Sequence, residues 1–160
     1  MKPLSREQSI DFAKKYVEDL LSFFGLNTDV VTHCDEDVIE LSIPSTHLNG
    51  FLIGQRGETL RSLQYMTSMA LKNSQAEVTR VNIDVASYKM HRAERLGEQV
   101  REWCQQVATS GEPMHLRPMN AADRRVAHQV VAEFGQLSSH SEGEGRDRHL
   151  IIEKRSDITE

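Results

Sequence analysis

The sequence predicts an α+β chain made of two small two-layer domains, residues 1–86 and 87–155, with a tail at 156–160. Three observations lead there. Short runs of alternating apolar residues, the period of a half-buried strand, fall into two groups of three. Amphipathic helical runs lie between and beside them, and a three-stranded sheet with one apolar face needs helices to cover it. No low-complexity linker separates the groups, so a long helix starting at Ser87 and reaching about Thr109 joins them.

In the first domain, Ser5 and Gln8 form a capping box ahead of a helix to Phe24, with Ile10, Ala13, Val17, Leu20 and Phe24 on one face. Gly25 follows as its C-cap. Val30–His33 and Val38–Ile43 read as two strands around the charged turn Asp35-Glu36-Asp37, and Pro44 ends the second. Ser45 caps a short helix through Leu52. After the Gly-x-x-Gly turn at 54–57, a helix from Glu58 to about Asn73 turns Leu60, Leu63, Met66, Thr67 and Ala70 inward. Val78–Val85 is the third strand.

The second domain takes the long helix, with Ala93, Leu96, Val100, Trp103 and Val107 in steps of three and four. Its charges, Arg92 and Arg101 among them, read most simply as a solvated face. Ser110-Gly111 stops it. Met114–Arg117 is a short strand between prolines. Asn120, with Asp123 three residues on, caps a helix to about Phe134, and Val126, Ala127, Val130, Val131 and Phe134 share one arc. Leu137–Ser141 and His149–Lys154 are strands around a glycine-rich turn.

Composition narrows the function classes. Of 160 residues, 38% are hydrophobic and 27% charged, as in ordinary globular domains, and no apolar run approaches the length of a membrane span. No signal-peptide core follows Met1, which predicts a cytoplasmic protein. Cys34 and Cys104 have no Cys or His at metal-ligand spacing and read as reduced thiols. No H-x-x-x-H pair, Gly-x-Ser-x-Gly elbow or Walker loop is present. The net charge of −5 argues against indiscriminate nucleic-acid binding, but the charge is uneven: residues 1–50 hold 4 Lys/Arg against 9 Asp/Glu, and residues 51–110 hold 8 against 6. A local footprint and a non-binder both fit that pattern.

Two constellations carry chemistry. In Leu52-Ile53-Gly54-Gln55-Arg56-Gly57, glycines let a foreign backbone come close, the following helix aims free N–H groups at it, and Gln55 and Arg56 add donors. Alone the motif fits a plain interhelical turn. Set between a strand pair, two helices and a further strand, it is the arrangement by which KH modules clamp about four nucleotides. Leu52 and Ile53 would then floor a groove for bases. The second constellation is Arg124-x-x-x-His128, an arginine fork suited to phosphate with a histidine one turn away. Arg117, Arg146 and Arg148 join it if the strand ends converge; otherwise it is a surface arginine beside a half-buried histidine.

The segment from Leu48 through Gly54-Gln55-Arg56-Gly57 to Gln64 resembles the KH segment of the Jag (SpoIIIJ-associated) family of bacterial RNA-binding proteins. Leu116-Arg117-Pro118-Met119-Asn120, then Asp123-Arg124-Arg125 and His128, resembles that family's second domain, named R-three-H for its Arg-x-x-x-His signature; Ser141–Gly145 followed by Arg148 matches its late turn and strand. The resemblance implies a bacterial-type KH domain, then an R-three-H domain, binding single-stranded RNA without catalysis, cofactor or metal. The RNA-contacting residues it implies, with those read above, are Leu52, Ile53, Gly54, Gln55, Arg56, Gly57, Arg61, Arg117, Arg124, Arg125, His128 and Arg148. It also implies a small single-KH protein partner and post-transcriptional regulation tied to cell shape, growth or division. Members often carry a further N-terminal domain, whereas this sequence opens on the KH helix, and Gln55-Arg56 stands where Lys-Arg is usual. The competing expectation is a protein-interaction scaffold on a KH fold, favoured by the acidic net charge. Whether the second domain prefers RNA or single-stranded DNA stays open.

Overall fold

A computed structural model describes residues 3–156, so the predicted tail lies outside them apart from Ser156. The chain divides into two compact units, the first ending at Lys89 and the second starting at Met90. It is mixed α+β, with a three-stranded sheet in each unit.

The first unit runs α1 (Arg6–Phe23), β1 (Val31–Asp35), β2 (Val38–Ile43), α2 (Asn49–Ile53), α3 (Glu58–Asn73) and β3 (Arg80–Val85). The capping box opens α1: Gln8 N donates to Ser5 Oγ at 3.4 Å, and Ser5 N donates to Gln8 Oε1 at 3.1 Å. β1 and β2 pair antiparallel about a tight turn at Glu36, while β2 and β3 pair parallel, Ile39 beside Val81 and Ile43 beside Val85. Parallel neighbours need a crossover, and here α2, the glycine turn and α3 are that crossover. The core joins Ala13, Val17 and Leu21 of α1 to Ile39, Leu41 and Ile43 of β2, Ile83 and Val85 of β3, and Leu60 and Leu71 of α3.

Three expectations need correction. Met66 is exposed, because α3 buries Leu60, Thr67 and Leu71 and position 66 lies more than a quarter-turn from that line. Phe24 is the C-cap of α1 and half exposed, packed edge-on against Phe51 at 5.0 Å between ring centres. The short helix starts at Asn49 rather than Ser45: Asn49 Oδ1 accepts from Thr46 N at 2.8 Å and its Nδ2 donates to Ser45 Oγ at 2.9 Å, holding residues 45–48 in a turn. On the outer side of β3, Ile83 N donates to Gln64 Oε1 at 3.1 Å, and Ser68 Oγ donates to the Thr79 carbonyl at 2.6 Å.

The second unit holds most of α4 (Tyr88–Ser110), then β4 (Met114–His115), α5 (Ala121–Ala132), β5 (Leu137–Glu142) and β6 (His149–Lys154). The sheet order is β4-β6-β5, all antiparallel. Val100, Cys104 and Val107 of α4 and Ala127, Val130 and Val131 of α5 pack on Leu137, Leu150 and Ile152. Asn120 caps α5, accepting from Asp123 N at 2.9 Å. The α4 charges are not all solvated. Arg92 grips Asp123 with two donors, Nε to Oδ1 at 3.1 Å and Nη2 to Oδ2 at 2.6 Å, and Asp123 is nearly buried. Both cysteines are free; burial first, then the Glu133 charge, raises the Cys104 thiol above its ordinary value.

Candidate nucleic-acid interface

In the first unit the candidate site is a backbone feature. Leu52 is 2% exposed and belongs to the core, so it anchors the turn from beneath and is not a surface for bases. Ile53 is half-buried against the same core. Gly54 then takes φ 70 and ψ −177, a conformation essentially reserved for glycine. A β-carbon there would stand 2.8 Å from Thr59 Cβ and 2.9 Å from Thr59 N. Arg56 (φ 53, ψ 25) and Gly57 (φ 78, ψ 20) are both left-handed, and Gly57 N closes the turn on the Gly54 carbonyl at 3.3 Å. A left-handed arginine costs on the order of 1–2 kcal/mol, held here by the structure around it. Gly57 caps α3 with no side-chain hydrogen bond, and the Tyr88 ring stands beside it, 3.4 Å from where a β-carbon would be.

Gln55 and Arg56 are exposed, and neither Arg56 nor Arg61, one turn into α3, makes an ion pair among the described residues. The turn thus offers backbone donors, a helix N-terminus and two uncommitted guanidinium groups to an anion. Lys89 differs. Its amine is bound to Asn82 and lies 3.5 Å from Gln64 Oε1, and it is held below its ordinary range, by desolvation first, against Asp84 and Glu40, which raise it.

In the second unit the backbone brings the signature residues together. Leu116 N donates to the Leu150 carbonyl at 2.8 Å and Met119 N to the Arg148 carbonyl at 3.1 Å, which lays residues 116–119 beside the start of β6. Arg124 closes the group by donating Nη1 to the Met119 carbonyl at 2.7 Å. Arg117, Arg125, Arg146 and Arg148 are exposed without an ion pair among the described residues. His128, one turn beyond Arg124, bonds both ring nitrogens to β5: Nδ1 to Ser139 Oγ at 2.8 Å and Nε2 to Ser141 Oγ at 3.1 Å. It is a half-buried link between α5 and the sheet. Spacing revealed the Arg–His pair but not its hydroxyl partners, nor the Arg92–Asp123 bond, since cross-element pairs leave no local pattern.

Residues 93–154 match the R-three-H domain family. Over 154 residues the chain is 27% identical to "RNA-binding protein KhpB" of Bacillus subtilis (strain 168), covering 95% of this chain and 74% of that protein. It is 29% identical over 148 residues to the KhpB of Clostridium symbiosum, covering 92% and 67%. The KhpB of Streptococcus pneumoniae serotype 2 is 25% identical over 147 residues, 44% of its length. The chain thus carries a segment matching the R-three-H domain and is similar over most of its length to proteins named RNA-binding protein KhpB. The matched R-three-H segment contains Arg117, Arg124, Arg125, His128 and Arg148, and the alignments with the KhpB proteins extend over most of the first unit as well. Among the described residues no helix is long and apolar enough to cross a membrane.

His128 makes the second unit pH-sensitive. Burial, then the Arg124 guanidinium and His140, hold its imidazole below the ordinary 6.5. Just below pH 6.5 the folded state therefore holds fewer protons than the unfolded state, and stability rises with pH there. Stability is expected to fall as pH drops through 6.5 and to stop falling below the folded value. Trp103, the single tryptophan, packs against the core of this unit and reports its unfolding. The difference in midpoint between wild type and His128→Gln should narrow in acid; a difference constant from about pH 7.5 to about pH 5 would refute the assignment.

Proposed function

We propose that this chain binds single-stranded RNA through two modules: a clamp at Gly54, Gln55, Arg56 and Gly57, and a second surface at Arg117, Arg124, Arg125, His128 and Arg148. The observation that carries the reading is the turn itself, where glycine-only backbone, an N-terminus without a side-chain cap and the unpaired guanidinium of Arg56 meet. A phosphodiester needs close approach and several N–H donors, and these residues supply both. The names of the KhpB relatives support RNA as the ligand. The role is one of holding, with no catalytic step, and the regulatory setting is the one the family resemblance implies. Domain limits near residues 86–90 belong to the same proposal.

The test is fluorescence anisotropy with short RNA and DNA single strands at two salt concentrations. Substituting Gln55→Asp together with Arg56→Asp should weaken RNA binding more than about tenfold, since two donors become two charges of the wrong sign. Arg124→Ala should cost less, because one Arg124 donor is already bound to the Met119 carbonyl. Absence of RNA binding by wild type at low salt defeats the proposal and brings the protein scaffold forward.

A further inference from the structure

We infer that the RNA strand leaving the Gly54–Gly57 turn continues along the outer face of α3 and stacks a base on Tyr65; this rests on the RNA-binding reading above. Glu58, Arg61, Ser62, Tyr65 and Met66 line one shallow hollow on that helix. Their spacing of three and four residues puts them on a single stripe that starts at the residue after Gly57. Tyr65 is 67% exposed, with no ring contact or hydrogen bond among the described residues, and Met66 beside it is 46% exposed. The buried side of the helix belongs to Leu60, Thr67 and Leu71, so the Tyr65 ring has no part in the core.

A single exposed tyrosine is ordinary on a protein surface. Its position relative to Arg61 is what gives it a role. The two stand one turn apart, about 6 Å along the axis, with an unpaired guanidinium toward the clamp and a bare aromatic face beyond it. A strand whose phosphates are held at Arg56 and Arg61 brings its next base to the height of the ring, and aromatic faces accept any base. A protein partner fits less well, because Tyr65 and Met66 alone supply the apolar surface and a stable protein interface needs roughly 800 Å² from each side. Glu58 opposes the path and sets its edge: the phosphates must pass on the Arg61 side.

The test uses the full chain and a fluorescent oligoadenylate. Tyr65→Ala is expected to weaken binding about tenfold while Tyr65→Phe binds like wild type. The salt dependence should separate stacking from charge: Tyr65→Ala leaves the slope of log affinity against log salt unchanged, whereas Arg61→Ala lowers it by about 0.7. On an oligomer of abasic sugar–phosphate units, wild type and Tyr65→Ala should bind alike. If Tyr65→Ala binds oligoadenylate like wild type while the Gln55→Asp, Arg56→Asp protein does not bind, the stacking inference falls and the clamp stands. If wild type itself fails to bind, both fall. If RNA binding survives Tyr65→Ala but association with another protein chain is lost in sedimentation, the face belongs to a protein and the inference is overturned.

Discussion

Gly54→Ala is expected to destabilise the first unit by about 3 kcal/mol and to abolish the proposed clamp. The glycine-only backbone accounts for roughly 1–3 kcal/mol, and the added carbon meets Thr59 at distances that force the start of α3 to move. The three tyrosines, Tyr16, Tyr65 and Tyr88, all lie in this unit, so tyrosine fluorescence during urea unfolding follows it apart from Trp103. Gly50→Ala is the control: Gly50 lies in α2 with nothing within 4 Å of a new β-carbon, and alanine there should be neutral or stabilising by up to about 1 kcal/mol. If both variants unfold at the same urea concentration, the Gly54 conformation has no energetic role.

The second large effect is Asp123→Ala. The Asp123 carboxylate is 13% exposed and accepts two bonds from Arg92, whose side chain is 29% exposed. Removing one partner of a fully buried pair costs about 3–5 kcal/mol; partial access of water to Arg92 reduces the expectation to about 2–3 kcal/mol. The loss includes an acidic residue in the first turn of α5, where its charge complements the positive end of the helix dipole. A double-mutant cycle with Arg92→Met, read by Trp103, should show a coupling above about 1 kcal/mol. Additive effects would mean that Asp123 acts on the helix end alone.

The elements of both units were legible because each is marked locally. The Ser5–Gln8 box, Asn120, the alternation of β2 and the glycines after α1 and before α3 are short-range signals, and they placed the elements to within a few residues. The ends of β1 and β4 shifted because strand limits depend on the partner strand. The two candidate motifs were equally visible, since a Gly-x-x-Gly turn and an i,i+4 pair are spacings. What the sequence hid depends on which side of an element faces inward. Leu52 looked like the floor of a groove and is core; Met66 looked like core and lies outside. Arg92 looked like one of several surface charges, and only the fold brings it to Asp123.

The bond from the Ile83 amide to Gln64 reaches beyond the first unit. β3 is the last strand of its sheet, and an outward row of free backbone groups on such a strand invites a strand from another molecule. Gln64 occupies the middle of that row with a side chain from the crossover helix, and Ser68 takes the Thr79 carbonyl just before the strand. The helix that follows the Gly54–Gly57 turn therefore also keeps the sheet from growing. Altering Gln64 for reasons of recognition carries a colloidal consequence: the chain would still fold, and the cost would appear as association that increases with concentration.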